Sequence, residues 1–157
     1  MRNKNQTGFT LIELLVVIAI IGLLASIVLL ALNSARSKSR DAKRIADMQQ
    51  MASALELYYN DNNAYPTATG QSTAAGVALY GDALLTTALV PKYVGVLPQA
   101  PTPQDNTCTA TGGGGNAYWW IGNSVLTGTS YTMTFCLGGV TGGYSAGSHT
   151  VTPAGIQ

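Results

Sequence analysis

Charge is what this sequence has least of. Only 10% of its 157 residues are Asp, Glu, Lys or Arg. After Lys92 the sole charged residue is Asp105, so nothing from 106 to 157 carries a formal charge. A free cytosolic protein is kept soluble partly by charge. So bare a C-terminal part suits a subunit packed against copies of itself, or a glycan-coated surface. Histidine occurs once, at His149, and cysteine twice, at Cys108 and Cys136. That inventory cannot complete a four-ligand zinc set, so neither a metal nor a cofactor is expected. The Ser and Thr residues have no base–acid partner set, and the glycine run at 112–115 has no following helix to cradle a phosphate. No catalytic residue is assigned, and the chain reads as a non-enzyme. The two cysteines leave two buried thiols or one disulfide; export would favour the disulfide. Such a bond would close a loop of about 30 residues and contribute roughly 3–4 kcal/mol in the chain-entropy model.

The length allows one modest domain with an appendage. Residues 1–8 form a short polar stretch with Arg2 and Lys4, and from Phe9 to Leu32 the chain is apolar except at Thr10, Glu13, Gly22 and Ser26. The run 14–32 alone covers about 28 Å as a helix, close to the thickness of a bilayer's hydrocarbon core. A signal peptide's apolar region is shorter, about 7–15 residues. The stretch therefore reads as a membrane span. Glu13 is the odd residue in it, because a carboxylate inside an apolar helix costs about 2.5–3.5 kcal/mol even on a lenient insertion scale. Either it snorkels to the headgroups or a cation from outside its own helix meets it.

Gly8-Phe9-Thr10-Leu11-Ile12-Glu13-Leu14, followed by the apolar run, resembles the processing site of type IV pilins and type II secretion pseudopilins. The resemblance is close through Leu32 and weaker through Pro66. It implies that a prepilin peptidase cuts after Gly8, that Phe9 becomes the methylated N-terminus, and that Glu13 is the carboxylate needed for filament assembly. It further implies a homo-oligomeric helical filament, an inner-membrane pilus assembly machinery as partner, and membrane lipid around the subunit before assembly. Before assembly the chain would cross the membrane once, with its leader cytoplasmic and its head outside. The filament would be extracellular or periplasmic. The count of Lys and Arg points the other way, since five basic residues at 36–44 outweigh the two in the leader. The cysteine pair and the family both place the head outside.

Helical periodicity continues beyond the span. Ile45, Met48, Ala52, Leu55 and Tyr59 form an apolar stripe, with Asp47, Gln50 and Glu56 largely off it. Asp41 and Arg44 can pair at i,i+3. Asn60 to Asn63 and then Pro66 end the pattern, so one helix of roughly 75 Å is expected from about Thr10 to Asn60. The basic residues 36–44 lack interleaved aromatics, and a solvated or headgroup-contacting stretch is favoured over nucleic acid. Residues 67–83 read as loop, 82–90 as a short helix stopped by Pro91, and Pro98, Pro101 and Pro103 as an extended segment. Strands are expected at 117–121, 131–137 and 149–151. Tyr131, Met133 and Phe135 would pack on the helix stripe, while Trp119 and Trp120 point to opposite faces.

The expected fold is α+β, a long N-terminal helix packed on a small antiparallel sheet. The leader is 1–8, the helix 9–63 (9–32 spanning, 33–63 amphipathic) and the head 64–157. Residues 84–101 also resemble the major pseudopilin of the secretion branch, whose C-terminal loops bind calcium through acidic side chains. With no carboxylate beyond Asp105, that site is not expected here. The composition thus tilts the expectation towards a type IV pilus subunit. The major pseudopilin of a type II secretion system is the alternative, and a minor pilin or anchored binding protein for DNA or surfaces the third.

Overall fold

A computed structural model describes residues 9–67, 76–105, 117–122 and 128–157. Gly8, Cys108 and the glycine run at 112–115 lie outside the described residues, so what was expected of them is neither met nor refused. The chain divides into two compact units, residues up to Arg36 and Ser37–Gln157.

The first unit is helical. From Leu11 onward its residues belong to α1 (Leu11–Asn62), and no large apolar side chain in it is covered by the chain itself. Exposures run from 41% at Leu32 to 85% at Leu11. Among the described residues this helix is long and apolar enough to cross a membrane. Ser26 satisfies its hydroxyl by donating to the Leu23 carbonyl at 2.7 Å, which lets a polar side chain sit in an apolar segment.

The second unit takes the remainder of α1 and adds β1 (Val77–Ala78), α2 (Ala83–Leu89), β2 (Trp119–Gly122), β3 (Tyr131–Leu137), β4 (Gly147–Thr152) and β5 (Gly155–Ile156). The strands form one antiparallel sheet in sequence order. The α+β architecture is the expected one. Two elements were not foreseen: β1 lies within the stretch read as loop, and β5 follows β4 through a tight turn. Between β3 and β4, Gly142 and Gly143, both at positive φ, close a two-residue turn in which Thr141 and Tyr144 exchange main-chain hydrogen bonds of 3.1 and 3.0 Å. Such a turn matches the twist of paired strands.

The core joins Ile45, Met48, Met51, Ala54 and Leu55 of α1 to Trp120, Tyr131, Met133, Phe135, Leu137 and Val151 of the sheet, with Leu85 and Leu89 of α2. The stripe on α1 is wider than its periodicity suggested. Met51 and Ala54 are in it, while Tyr59 remains 36% exposed. Trp120 is buried and Trp119 half-buried, as strand alternation requires. Asp82 caps α2 by accepting from Leu85 N at 2.9 Å, and Asn63, at φ 54°, ends α1.

Candidate functional site

Two constellations stand out, one in each unit. In the first, Thr10 precedes the helix and Glu13 sits three residues on, the spacing of a capping box. Glu13 Oε2 accepts from Thr10 N at 2.9 Å and from the Thr10 hydroxyl at 2.6 Å, and Glu13 N donates to Thr10 Oγ1 at 3.3 Å. The bonds close the helix start and fix the carboxylate. Oε1 has no partner among the described residues and stays open to an incoming donor. Around it, Phe9, Ile12, Val16 and Val17 line a shallow apolar groove in which Glu13 supplies the polar group. Phe9 is 83% exposed. The sequence singled out Phe9 and Glu13, and the structure places them on one groove. Thr10 was missed as a site residue, although T-x-x-E ahead of an apolar run is a recognisable helix-start signature.

In the second unit, charges lie where a neutral head would not be expected to bury them. Asp41 and Arg44 are 0% and 2% exposed. Asp41 Oδ1 accepts from Arg44 Nη1 at 2.7 Å and from Gly138 N at 2.9 Å, and its Oδ2 accepts from Gly139 N at 2.9 Å. Arg44 also donates to Asp105 Oδ2 at 3.1 Å and to the carbonyls of Pro101 at 3.1 Å and Pro103 at 3.5 Å. Arg40 completes the cluster with a two-pronged contact to Asp105, its Nε 2.6 Å from Oδ2 and its Nη2 on Oδ1. Of the five basic residues read as solvated or headgroup-facing, Arg44 is therefore internal and Arg40 half-buried. The i,i+3 pairing of Asp41 and Arg44 stands as expected.

The hydrogen bonds from Arg40 hold the Asp105 carboxyl below the usual carboxylate range, against the opposing effect of burial and with Arg44 assisting. The stabilisation from a depressed carboxylate is complete above its unfolded value of about 3.9 and is lost as pH falls through the folded value. This contribution to head stability is therefore expected to fall away as the pH drops below about 3.9, and Asp105→Asn should flatten that limb. A titration followed by near-ultraviolet circular dichroism checks this.

Other polar side chains are similarly occupied. The Tyr118 hydroxyl donates to Asp47 at 2.7 Å, and burial followed by that bond pushes the phenol up. Tyr65 donates to Glu56 at 2.8 Å. His149 presents Nε2 to the Ser145 carbonyl at 2.8 Å and Nδ1 to the Gln157 carbonyl at 3.1 Å, which ties it to main chain and not to a reacting group. Among the described residues no three His, Cys, Asp or Glu gather as metal ligands.

Residues 3–29 match the family described as "Prokaryotic N-terminal methylation motif". A type II secretion system core protein G from Klebsiella michiganensis is 36% identical over 121 residues, covering 71% of this chain and 79% of that protein. The chain belongs to the pilin and pseudopilin family. Another core protein G, from Aeromonas hydrophila, is 43% identical over 67 residues, covering 43% of this chain and 47% of that protein. That of Vibrio cholerae is 42% identical over 64 residues, 41% of this chain and 44% of the relative. In these two the match thus spans less than half of each relative's length. No solved structure gives a significant match. Thr10, Glu13 and most of the exposed apolar stretch of this pilin-like chain's helix fall within the part matched by the methylation motif.

Proposed function

We propose that this chain is the major pseudopilin of a type II secretion system. In this reading it is stored in the membrane as a precursor, cut after Gly8, methylated on Phe9 and polymerised through α1 into a periplasmic filament that drives proteins outward. The observation that carries the reading is the 36% identity to a secretion core protein G over 71% of the chain. It favours secretion over the pilus role that the acid-poor C-terminal sequence suggested. Assembly is proposed to bring the Phe9 amine of one copy to the open Oε1 of Glu13 in the next. The assembly machinery of the membrane and a prepilin peptidase are the partners, and a Cys108–Cys136 disulfide is proposed to staple the exported head.

The test is deletion of the gene in its own host. Loss of export with surface motility and adhesion intact is the expected result; loss of motility with normal export would return the chain to the pilus branch. In the complemented strain, mass spectrometry should find a mature chain beginning at Phe9 with one added methyl group, and Gly8→Val should leave precursor in the membrane. A mature chain starting near Ser34 would indicate ordinary signal-peptide cleavage and would defeat the processing step.

A further inference from the structure

Three stretches far apart in sequence meet at one point of the head. They are α1 at Arg40, Asp41 and Arg44; the segment ending at Asp105; and the glycine pair after β3. The contacts join residues 65 and 97 positions apart. Two carboxylates and the carbonyls of Pro101 and Pro103 are brought together there, a grouping of oxygens that has the raw material of a hard-cation site. The resemblance of residues 84–101 to the secretion branch raises the same expectation of calcium in the head.

The residues do not fit it. Calcium takes six to eight oxygen ligands, each turned towards the ion. Both oxygens of Asp41 already face nitrogen donors, one Arg44 and two main-chain N–H groups. Both oxygens of Asp105 face guanidinium nitrogens of Arg40 and Arg44. The Pro101 and Pro103 carbonyls are turned to Arg44 Nη2. Two guanidinium charges balance two carboxylates, so the cluster offers an ion no net attraction, and the ion would have to expel both guanidinium groups to reach the oxygens. Residues 106–157 offer no Asp or Glu from which a second set might be built. Gly138 belongs to the same arrangement, because a Cβ there would collide with Asp105 Cβ. The two segments approach this closely only with glycine.

We infer that Arg40 and Arg44 do in this head what a divalent cation would otherwise do, pinning the 101–105 segment to α1 while Arg44 holds the Asp41 carboxylate that grips the turn after β3, and that the head folds and holds together without calcium. This holds for either filament type. The test is thermal unfolding of the mature full-length chain in detergent micelles, followed by near-ultraviolet circular dichroism in excess calcium and in excess EGTA. The two melts are expected to superimpose, and calorimetric titration with calcium chloride should show no saturable uptake. Arg44→Met should lower the midpoint by several degrees, equally in both media. If that variant does not fold, Arg40→Gln, at a half-buried position, should give a smaller fall, again independent of calcium. A lower midpoint in EGTA for the unsubstituted chain, or saturable calcium uptake, overturns the inference. So does an Arg40→Gln melt identical to that of the parent.

Discussion

Glu13→Ala is expected to abolish filament formation while membrane insertion, leader removal and head folding proceed normally. Thr10 engages one oxygen of the carboxylate and leaves the other open in an apolar groove. Once neighbouring helices exclude water, a lone carboxylate there is tolerable only beside a cation. Removing one member of such a buried pair typically costs about 3–5 kcal/mol. That is a factor of roughly a hundred to several thousand in each subunit addition, enough to stop a polymer that grows by repeated addition. Glu13→Gln keeps the shape and the bonds to Thr10 but loses the charge, and it should be nearly as defective. Thr10→Val removes the cap and keeps the charge, so it should cost only about 1 kcal/mol and leave shorter or fewer filaments. Filament yield in sheared fractions, in cells lacking the unsubstituted subunit, measures all three. Normal yield from Glu13→Gln would reduce the residue to a helix cap.

The other large effect is expected at Asp41. Its side chain is fully buried and accepts from a guanidinium and from two successive main-chain N–H groups. Asp41→Ala would leave those donors without their acceptor. Breaking a buried ion pair costs about 3–5 kcal/mol, and a stranded buried donor about 1–3 kcal/mol. A small domain has only about 5–15 kcal/mol in total. The head should therefore be largely unfolded or degraded in cells, and in a denaturant titration its midpoint should collapse. Asp41→Asn retains one acceptor oxygen and should fall between. A midpoint for Asp41→Ala close to that of the parent would mean that the cluster does not hold the head closed.

The elements with a periodic signal were legible in advance. β3 runs over Tyr131–Leu137, where alternation of Tyr, Met and Phe placed it. α2 lies between Asp82 and Val90, its two caps, where Pro91 set a limit. β1 and β5 could not be read, because two residues carry no period and both exist only through their partners in the sheet. The breadth of the α1 stripe was underread, since Met51 and Ala54 fill the space between positions that a strict three–four spacing selects. The buried ion cluster had one local trace, the i,i+3 pair of Asp41 and Arg44. Its other half depends on Asp105 and on Gly138, which reach α1 only through the tertiary fold. At the helix start the reverse holds. Motif and cap are both written in the six residues from Gly8 to Glu13, where Glu13 stands out as a charge and Thr10 only by its spacing from it.

Among the described residues the sheet's outer strands are two residues long, β1 and β5. An exposed strand edge is a template for any other chain with free main-chain groups, and long flat edges seed aggregation. Copies of a subunit that meet side by side are where such templating is most damaging. An approaching strand would find only one or two hydrogen bonds on β1 or on β5, too few to compete with the freedom lost on pairing. β1 and β5 thus give copies of the head little main-chain edge along which to zip, which would leave association to the helix.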